Sequence, residues 1–181
     1  MRQSRVSTAD RRRAEFERFV AESTEPLVRA AYLVVGDLAE AEDLVQECLI
    51  KVAKRWPRVR SMDHPRAYAR RVLINLALDG SRRRVRNRGE LELGDAVQDG
   101  RDEESARELA AIDSRSELQQ ALAMLTPRQR AVLVLRYFED LSEADTAAAL
   151  GCSIGTVKST ASRALVRLQS TFAAPITKES R

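Results

Sequence analysis

The sequence predicts an all-α protein made of two small helical domains joined by an acidic linker. Its 181 residues are 44% hydrophobic and 32% charged, which supplies enough apolar material for packed helices. Apolar residues recur at helical spacing in both halves of the chain, and helix-capping residues punctuate the two patterns. We expect the first domain at residues 12–86, the linker at 87–112 and the second domain at 113–172.

Charge divides the chain into three parts. Residues 1–88 carry 20 Lys/Arg and 12 Asp/Glu, a net +8, whereas residues 89–117 have a net −7 and residues 118–181 a net +3. Segment 89–104 holds seven acidic residues and few apolar ones, so we expect no core of its own. Two interpretations stay open. The segment is either a solvated spacer, or an acidic stretch of chain that competes with nucleic acid for the same positively charged surface.

Several classes of protein are disfavoured. The longest apolar run, residues 30–35, is much shorter than the ~18 residues of a membrane span, and the basic N-terminus lacks the apolar stretch of a secretory signal. We therefore expect a cytoplasmic protein. Cys48, Cys152 and His64 are too scattered for a metal site, so both cysteines are expected to be small buried side chains. We predict no cofactor and no catalytic residues, because the sequence has no phosphate-binding glycine loop and no nucleophile motif.

The first strongly patterned helix is expected from Leu38 to Trp56. Asp37 and Glu40 resemble the two halves of a capping box at its start. Its apolar side chains form one stripe that we expect to face a core, namely Ala41, Leu44, Val45, Cys48, Leu49, Val52 and Trp56.

The opposite face of this helix is polar except for one side chain. At about 100° per residue, Ile50 lies among Asp43, Gln46 and Glu47. Ile50 is either an isolated exposed apolar residue or the centre of a small protein-docking patch.

A basic segment and a second helix follow. Pro57 is expected to end the first helix, and Pro65 suits the first turn of a helix that runs to about Arg84. Apolar residues on most of its faces predict deep packing. The five arginines within residues 82–88 can neutralise phosphates in a salt-sensitive way, or they form a solvated helix end.

The C-terminal part has helix-capping and turn residues at the spacing of a helix-turn-helix, with a plain αα-hairpin as the alternative. Residues 126–129 read as a capping box with proline at the first helical position. Ser142 is expected to cap a short helix that Gly151 closes, and Ser153 a further helix to about Thr171. The apolar residues of that last helix are expected to pack inward, namely Ile154, Val157, Ala161, Ala164, Leu165 and Leu168.

The other face of this last helix is polar and basic. Recognition helices use their N-terminal half for base edges, while Lys and Arg also contact phosphates. The candidates for solvent or a major groove are Thr156, Lys158, Ser159, Ser162, Arg163 and Arg167.

Three strings in order resemble the bacterial sigma factors. AEDLVQECLIKVAKRW (41–56) is similar to their region 2.1/2.2, and RAYARRVLINLALDGSRRR (66–84) to regions 2.3 and 2.4. LTPRQRAVLVLRYFEDLSEADTAAALGCSIGTVKS (125–159) resembles region 4. The combination is that of the extracytoplasmic-function group, nearest to an actinobacterial subgroup, and it covers most of residues 12–170. It implies a sigma region 2 domain and a sigma region 4 domain.

The resemblance implies partners for the docking patch. In this family the region 2.2 helix docks on the clamp helices of the largest subunit of core RNA polymerase, and the flap is a further contact. The positions that match here are Asp43, Gln46, Glu47 and Ile50. Many members also bind an anti-sigma factor.

The resemblance also assigns a promoter-melting surface. In this family the loop before region 2.3 holds a flipped base of the −10 element, and the helix after it contacts the DNA backbone. The loop positions are Arg60, Ser61, Met62, Asp63 and His64, and Asn75 on the helix matches a residue that helps to hold the flipped base. The helix positions implied to contact the DNA backbone are Arg66, Arg70, Arg71, Arg82, Arg83 and Arg84.

Region 4 of the family reads the −35 element with the helix that carries Lys158 and Arg163. Thr160 and Ser162 depart from residues common in the family, so the −35 preference is not carried over. The family linker threads the polymerase channel, which favours a functional role for the acidic segment.

The implied function is that of an extracytoplasmic-function sigma factor, which binds core polymerase, recognises and melts promoters and performs no chemistry itself. The alternative is a stand-alone helix-turn-helix regulator. That alternative leaves the docking patch and the acidic segment unexplained, and no heptad seam supplies the dimer that it usually needs.

Overall fold

The computed structural model describes residues 8–91 and 115–173, and in these two ranges it contains helices and no strand. The prediction of an all-α protein is confirmed. The helices are α1 (Thr8–Val35), α2 (Leu38–Lys54), α3 (Trp56–Val59), α4 (Pro65–Leu91), α5 (Arg115–Ala123), α6 (Pro127–Leu133), a π-helical turn (Val134–Phe138), α7 (Glu143–Leu150) and α8 (Ile154–Ala173).

The first unit is built on the packing of α1, α2 and α4 against one another. The predicted apolar stripe of α2 faces this core, where Ala41, Cys48 and Val52 are fully buried and Leu49 is half-buried. Trp56 closes the end of the core, with its ring 5.2 Å from that of Phe16. Its indole Nε1 donates a hydrogen bond of 3.2 Å to a carbonyl of α1, which fixes the start of α1 against α3.

The helix predicted over 38–56 is shorter than expected. It ends at Lys54, and Arg55 leaves the helical region with φ −112° and ψ 9°. Pro57 causes the break, because it has no N–H to donate to the carbonyl four residues earlier. Residues 57–59 of the expected basic loop, 57–64, are instead part of a short helix, Trp56–Val59, with Pro57 in its first turn.

α4 is longer than predicted, since it continues to Leu91 rather than ending near Arg84. Arginine is a good helix former, and the charged end of α4 forms ion pairs within and across helices. The helix therefore extends past residue 86, where we expected the linker to begin. The rest of the predicted acidic linker, residues 92–112, lies outside the described residues.

The predicted helix caps and turn of the helix-turn-helix in the second unit are confirmed. Thr126 and Gln129 form a full capping box. The N–H of Gln129 donates to Thr126 Oγ1 at 3.3 Å, and the N–H of Thr126 donates to Gln129 Oε1 at 2.9 Å. Ser142 caps α7, Gly151 closes it with φ +60°, and Ser153 Oγ accepts from the first turn of α8 at 3.1 Å.

The prediction of the inward face of α8 is partly wrong. Val157, Ala161 and Ala164 are buried and Leu168 is half-buried, but Ile154 is 45% and Leu165 37% exposed. Ile154 is the first helical residue, next to the exposed turn, and Leu165 is turned by about 100° from Ala164 to the edge of the stripe.

The two cysteines differ in environment. Cys48 is fully buried and its Sγ donates to the Ala69 carbonyl at 3.2 Å, whereas Cys152 is half-buried. Burial raises the pKa of the Cys48 thiol to about 12, so this sulfur stays protonated at neutral pH. Within residues 8–91 and 115–173 no cluster of His, Cys, Asp and Glu has the arrangement of a metal site. No helix in these ranges is long and apolar enough to cross a membrane.

The two units share one apolar core. α1 contacts α5, α6 and the π-helical turn, and α4 contacts α6 and α7. A continuous cluster of buried side chains runs from Leu27 and Val34 of the first unit to Leu135 and Leu150 of the second. Leu33 of α1 packs against a second small cluster made by α5, α6 and α8.

Gly151 sets the turn between the two helices of the helix-turn-helix. Replacing Gly151 by Ala should lower the free energy of unfolding by about 1–2 kcal/mol, because a residue with a Cβ is disfavoured at φ +60°. The added methyl itself meets nothing within 4 Å, so the loss reports the backbone alone. Urea unfolding followed by circular dichroism measures it.

Gly155, in the first turn of α8, is the matched control for this substitution. A Cβ added there would lie 3.7 Å from Ser153 Oγ, an ordinary van der Waals distance. Gly155→Ala should therefore keep or raise stability, by up to ~1 kcal/mol. Equal losses at both positions would contradict the assigned role of Gly151.

Candidate nucleic-acid interface

The docking patch of α2 is presented to solvent. Because the apolar stripe of α2 faces α1 and α4, the patch points away from the core. Asp43, Gln46 and Glu47 are exposed, and Ile50 is 55% exposed at their centre. Glu47 also forms an ion pair of 3.0 Å with Lys51 one turn later. An apolar side chain within a rim of carboxylates and an amide suits a partner surface that is basic and partly apolar.

The loop from Arg60 to His64 is anchored at its start and open at its end. Arg60 Nη2 lies 2.6 Å from Glu15 Oε2 of α1, and Ser61 Oγ donates to a backbone carbonyl at 2.8 Å. Met62 is half-buried and packs against the core of the first unit. Asp63 and His64 are exposed, as is Ser61. The loop therefore offers short polar side chains to a ligand while its backbone stays attached to the helices.

Some of the predicted DNA-binding residues lie together on one exposed face of α4. Arg71, Asn75, Arg82 and Arg86 are all exposed, and Arg82 forms a solvent-exposed ion pair of 3.2 Å with Asp79 on the same helix. At about 100° per residue their directions fall within ~60° of one another, so they form a single row along the helix. We call these four exposed residues the basic strip. Its length and its three guanidinium groups suit the backbone of a nucleic acid.

Other arginines predicted to bind DNA are held by carboxylates of other elements. Arg66 pairs with Glu22 of α1 at 2.6 Å, Arg70 pairs with Glu139 of the second unit, and Arg84 pairs with Glu40 of α2. Arg83 is exposed. The spacing within α4 gave no indication of these partners, because each carboxylate lies on another helix or in the second unit.

The predicted recognition helix α8 presents four polar residues together. Lys158, Ser159, Ser162 and Arg163 are exposed, and Arg163 Nε donates to the Ser159 carbonyl at 3.1 Å. Of the other two candidates, both Thr156 and Arg167 are less exposed, Thr156 being half-buried beside Ser153.

Glu143 lies beside the candidate residues of α8, a position that helical spacing alone does not predict. Its Oε2 lies 3.5 Å from Lys158 Nζ, across the turn between α7 and α8. The carboxylate partly neutralises the ammonium group at the start of the recognition helix. Only the fold of the turn brings these residues together, so sequence spacing gave no signal.

Exposed apolar side chains also lie on the predicted recognition helix and on the π-helical turn next to it. Tyr137 and Val166 are 60% and 63% exposed, and with Leu165 they line a groove that continues to Lys158 and Ser162. Leu165 was expected to be inside the core, so this surface was not predicted from helical spacing.

Two family models match the two units in order. Residues 19–88 match the model "Sigma-70 region 2", and residues 115–168 match "Sigma-70, region 4". The first unit therefore corresponds to sigma region 2 and the second to sigma region 4.

Relatives at the level of the whole chain agree with this. The chain is 40% identical over 156 residues to an RNA polymerase sigma-E factor of Streptomyces avermitilis, covering 86% of this chain and 83% of that protein. It is 36% identical over 135 residues to the ECF RNA polymerase sigma factor SigL of Mycobacterium tuberculosis, covering 74% and 75%.

A solved structure shows the same arrangement of helices. The sigma factor RpoE of Bartonella quintana, in complex with the anti-sigma factor NepR, matches with a TM-score of 0.68 at 26% identity, over 88% of this chain and 98% of that chain. Together with the relatives and the two family matches, this establishes that the chain belongs to the sigma-70 family and is an RNA polymerase sigma factor of the extracytoplasmic-function type.

Proposed function

We propose that this chain binds core RNA polymerase through α2 and directs it to promoters whose −10 and −35 elements are read by the first and second units respectively. The observation that carries the proposal is the exposed position of Ile50 among acidic residues on a face that the fold does not use. A stand-alone regulator needs no such face. The chain performs no chemistry, acts in the cytoplasm with the polymerase, and has an anti-sigma factor as a further partner, as RpoE of Bartonella quintana does.

Docking on core polymerase uses the patch of Asp43, Gln46, Glu47 and Ile50. Exposed carboxylates attract a basic partner and orient the encounter, while burial of Ile50 adds free energy once the surfaces meet. The clamp helices of the largest subunit are the proposed partner. The flap is proposed as a second contact, made by the sigma region 4 unit.

Promoter melting is assigned to the loop from Arg60 to His64 together with the basic strip. Extracting one base from the stack costs a few kcal/mol, so contacts to the flipped base must offset it. Ser61, Asp63 and His64 are exposed and offer hydrogen-bonding groups for this purpose. The basic strip would hold the phosphates beside the melted site.

Recognition of the −35 element is assigned to the N-terminal half of α8. Lys158, Ser159, Ser162 and Arg163 are exposed there, as a helix in the major groove requires. Glu143 limits how strongly Lys158 attracts a phosphate or base, because the two side chains already neutralise each other in part.

The docking assignment predicts a loss of polymerase binding. Replacing Asp43 and Glu47 together by Lys should weaken the affinity for core polymerase at least tenfold, because two attractive charges become repulsive. Both residues are exposed, so the free energy of unfolding should change by no more than ~0.5 kcal/mol per site. Fluorescence anisotropy of the labelled chain titrated with core polymerase measures the affinity.

Glu42→Lys is the matched control for this pair. Glu42 is exposed on the same helix but about 100° from the centre of the patch, so its reversal should leave core binding nearly unchanged. Unchanged binding by the double variant would remove the assignment. Tight duplex binding by a native chain that ignores core polymerase would favour a stand-alone regulator.

The basic strip predicts a change in salt dependence. With Arg71, Arg82 and Arg86 replaced by Gln, the polymerase complex should bind promoter DNA more weakly at every salt concentration. The slope of log K against log[salt] should fall by about one for each phosphate that the variant no longer neutralises. As a control, Gln at Arg11, Arg18 and Arg29, exposed on α1, removes the same charge elsewhere. Equal changes of slope in both variants would indicate a general charge effect and contradict the strip.

The ion pair of Lys158 predicts two opposite effects on duplex binding. Lys158→Ala should weaken binding to a −35 duplex by roughly 1–3 kcal/mol if it contacts a base. Glu143→Gln should tighten it about two- to fivefold, because it frees Lys158 and removes a negative charge near the phosphates. Electrophoretic mobility shifts measure both, with Glu117→Gln on α5 as the neutral control. An equal loss on scrambled DNA would assign Lys158 to a phosphate instead.

A further inference from the structure

The loop from Arg60 to His64, to which the proposed function assigns the flipped base, is attached to the first unit at both ends. At its start the Arg60 N–H donates to the Trp56 carbonyl at 2.9 Å. Across the loop, Arg55 Nη1 donates to Tyr68 Oη at 3.2 Å, which joins the end of α2 to the first turn of α4. The ends of the loop are therefore fixed relative to each other, while the exposed residues between them depend on a further contact.

A carboxylate of α1 supplies that contact. Glu15 Oε2 accepts hydrogen bonds from two nitrogens of Arg60, from Nε at 2.7 Å and from Nη2 at 2.6 Å. Two charge-assisted hydrogen bonds to one planar guanidinium group fix its orientation as well as its position. The two side chains are 34% and 35% exposed, so solvent screens this pair less than a pair on the open surface. Arg60 thereby uses two of its donors inside the protein, at the first residue of the loop.

The part of α1 that carries Glu15 is itself anchored. The ring centroid of Phe16 lies 5.2 Å from that of Trp56 in an edge-to-face arrangement, and the ring centroid of Phe19 lies 5.1 Å from it. The indole of Trp56 also donates to the Arg12 carbonyl at 3.2 Å. Because these contacts fix this part of α1 against α3, the Glu15 carboxylate has a defined place beside the loop.

The side chains that follow Arg60 are those able to meet a base. Ser61, Asp63 and His64 are exposed, whereas Met62 packs against the core of the first unit. Donors and acceptors recognise a base only when they are held at the right place, and a loop that is ordered before binding loses less conformational entropy on binding. The ion pair at Arg60 orders the loop in this way without using any of the exposed groups.

We propose that Glu15 is a positioning residue for base recognition, because its ion pair with Arg60 holds the loop in the arrangement that meets the flipped base of the −10 element. The exposed side chains of the loop make the contacts to the base, whereas Arg60 acts through the protein and does not contact it. The identity of the ligand rests on the proposed function, whereas the attachment of the loop to α1 is a property of the free chain. Glu15 lies on α1, outside all positions that the family resemblance assigns to DNA.

Selection of promoters from randomised DNA tests this role. The complete chain, bound to bacterial core polymerase, is given a duplex library in which the −10 and the −35 elements are both randomised, and the bound DNA is sequenced. Glu15→Gln should lower the preference for the favoured base at the most selective −10 position about three- to tenfold, a part of the discrimination that one base pair typically supplies. Preference at the −35 element should stay native. A variant that merely folds less well would bind less DNA but would leave both preferences unchanged.

Glu17→Gln is the matched control. Glu17 lies two residues further along α1, about 200° around the helix from Glu15, and pairs with Arg13 of the same helix at 2.8 Å. Its substitution removes the same charge from the same helix without touching the loop, so both preferences should remain native. Equal losses at the −10 element in the two variants would overturn the proposal, because they would report the charge alone.

A double-mutant cycle separates positioning by Glu15 from direct contact by Arg60. Arg60→Gln should lower the −10 preference as much as Glu15→Gln does, and the double variant should lower it no further. The exchange Glu15→Arg/Arg60→Glu should restore at least half of the loss. A loss confined to the Arg60 variants, with no recovery in the exchange, would show that Arg60 itself contacts the base and would overturn the proposal.

Hydrogen exchange of the free chain, followed by mass spectrometry, tests the attachment without DNA. Glu15→Gln should speed exchange of the amides of residues 61–64 about threefold or more, because the loop is no longer held on α1, with α2 and the helix content by circular dichroism unchanged. Unchanged exchange in the loop, or a faster loop with native −10 preference, would overturn the positioning role. A native chain that binds no core polymerase, or selects no −10 base, would refute the proposed function, whereas the exchange data would still decide whether Glu15 holds the loop.

Discussion

The packing of α1 against the rest of the molecule is the interaction on which the other contacts depend. One side of α1 closes the core of the first unit through Leu27, Ala31 and Val34, and Leu33 reaches the small core of the second unit. Its carboxylates hold the loop and α4 in place, because Glu15 pairs with Arg60 and Glu22 with Arg66. Loss of α1 would expose both cores and release the surfaces assigned to the −10 element.

Local features of the fold were predictable from the sequence, and features that join distant residues were not. Thr126, Ser142, Gly151 and Ser153 act through hydrogen bonds and backbone angles that span only a few residues, so their residue types were sufficient. The exposure of Leu165 was not predictable, because residues at the edge of an apolar stripe depend on how far a neighbouring helix extends over them. The pairing of Arg70 with Glu139 joins residues far apart in the sequence and required the fold.

The candidate site shows the same division. Exposure of Asp43, Glu47 and Ile50 followed from helical periodicity once one face of α2 was known to be buried. The α4 arginines divide into an exposed strip and a set held by carboxylates of other elements. Helical periodicity did not predict this division, because it does not indicate which arginine meets a carboxylate of another element. The distinction matters physically, because an arginine of the strip is exposed to solvent, where a phosphate can approach it, whereas one held across an interface must first give up the carboxylate of another element.

The π-helical turn has a consequence for how the chain can vary. A π-helical turn holds one residue more than the α-helical turn that it replaces, so removal of one residue between Val134 and Phe138 would restore ordinary helix and turn Glu139 by about 100°. The side chain would then leave Arg70, while the capping residues of α6 and α7 would be unchanged. A single codon thus separates this chain from one with the same helices and no pairing between Glu139 and Arg70, and related chains could gain or lose this ion pair without rebuilding either unit.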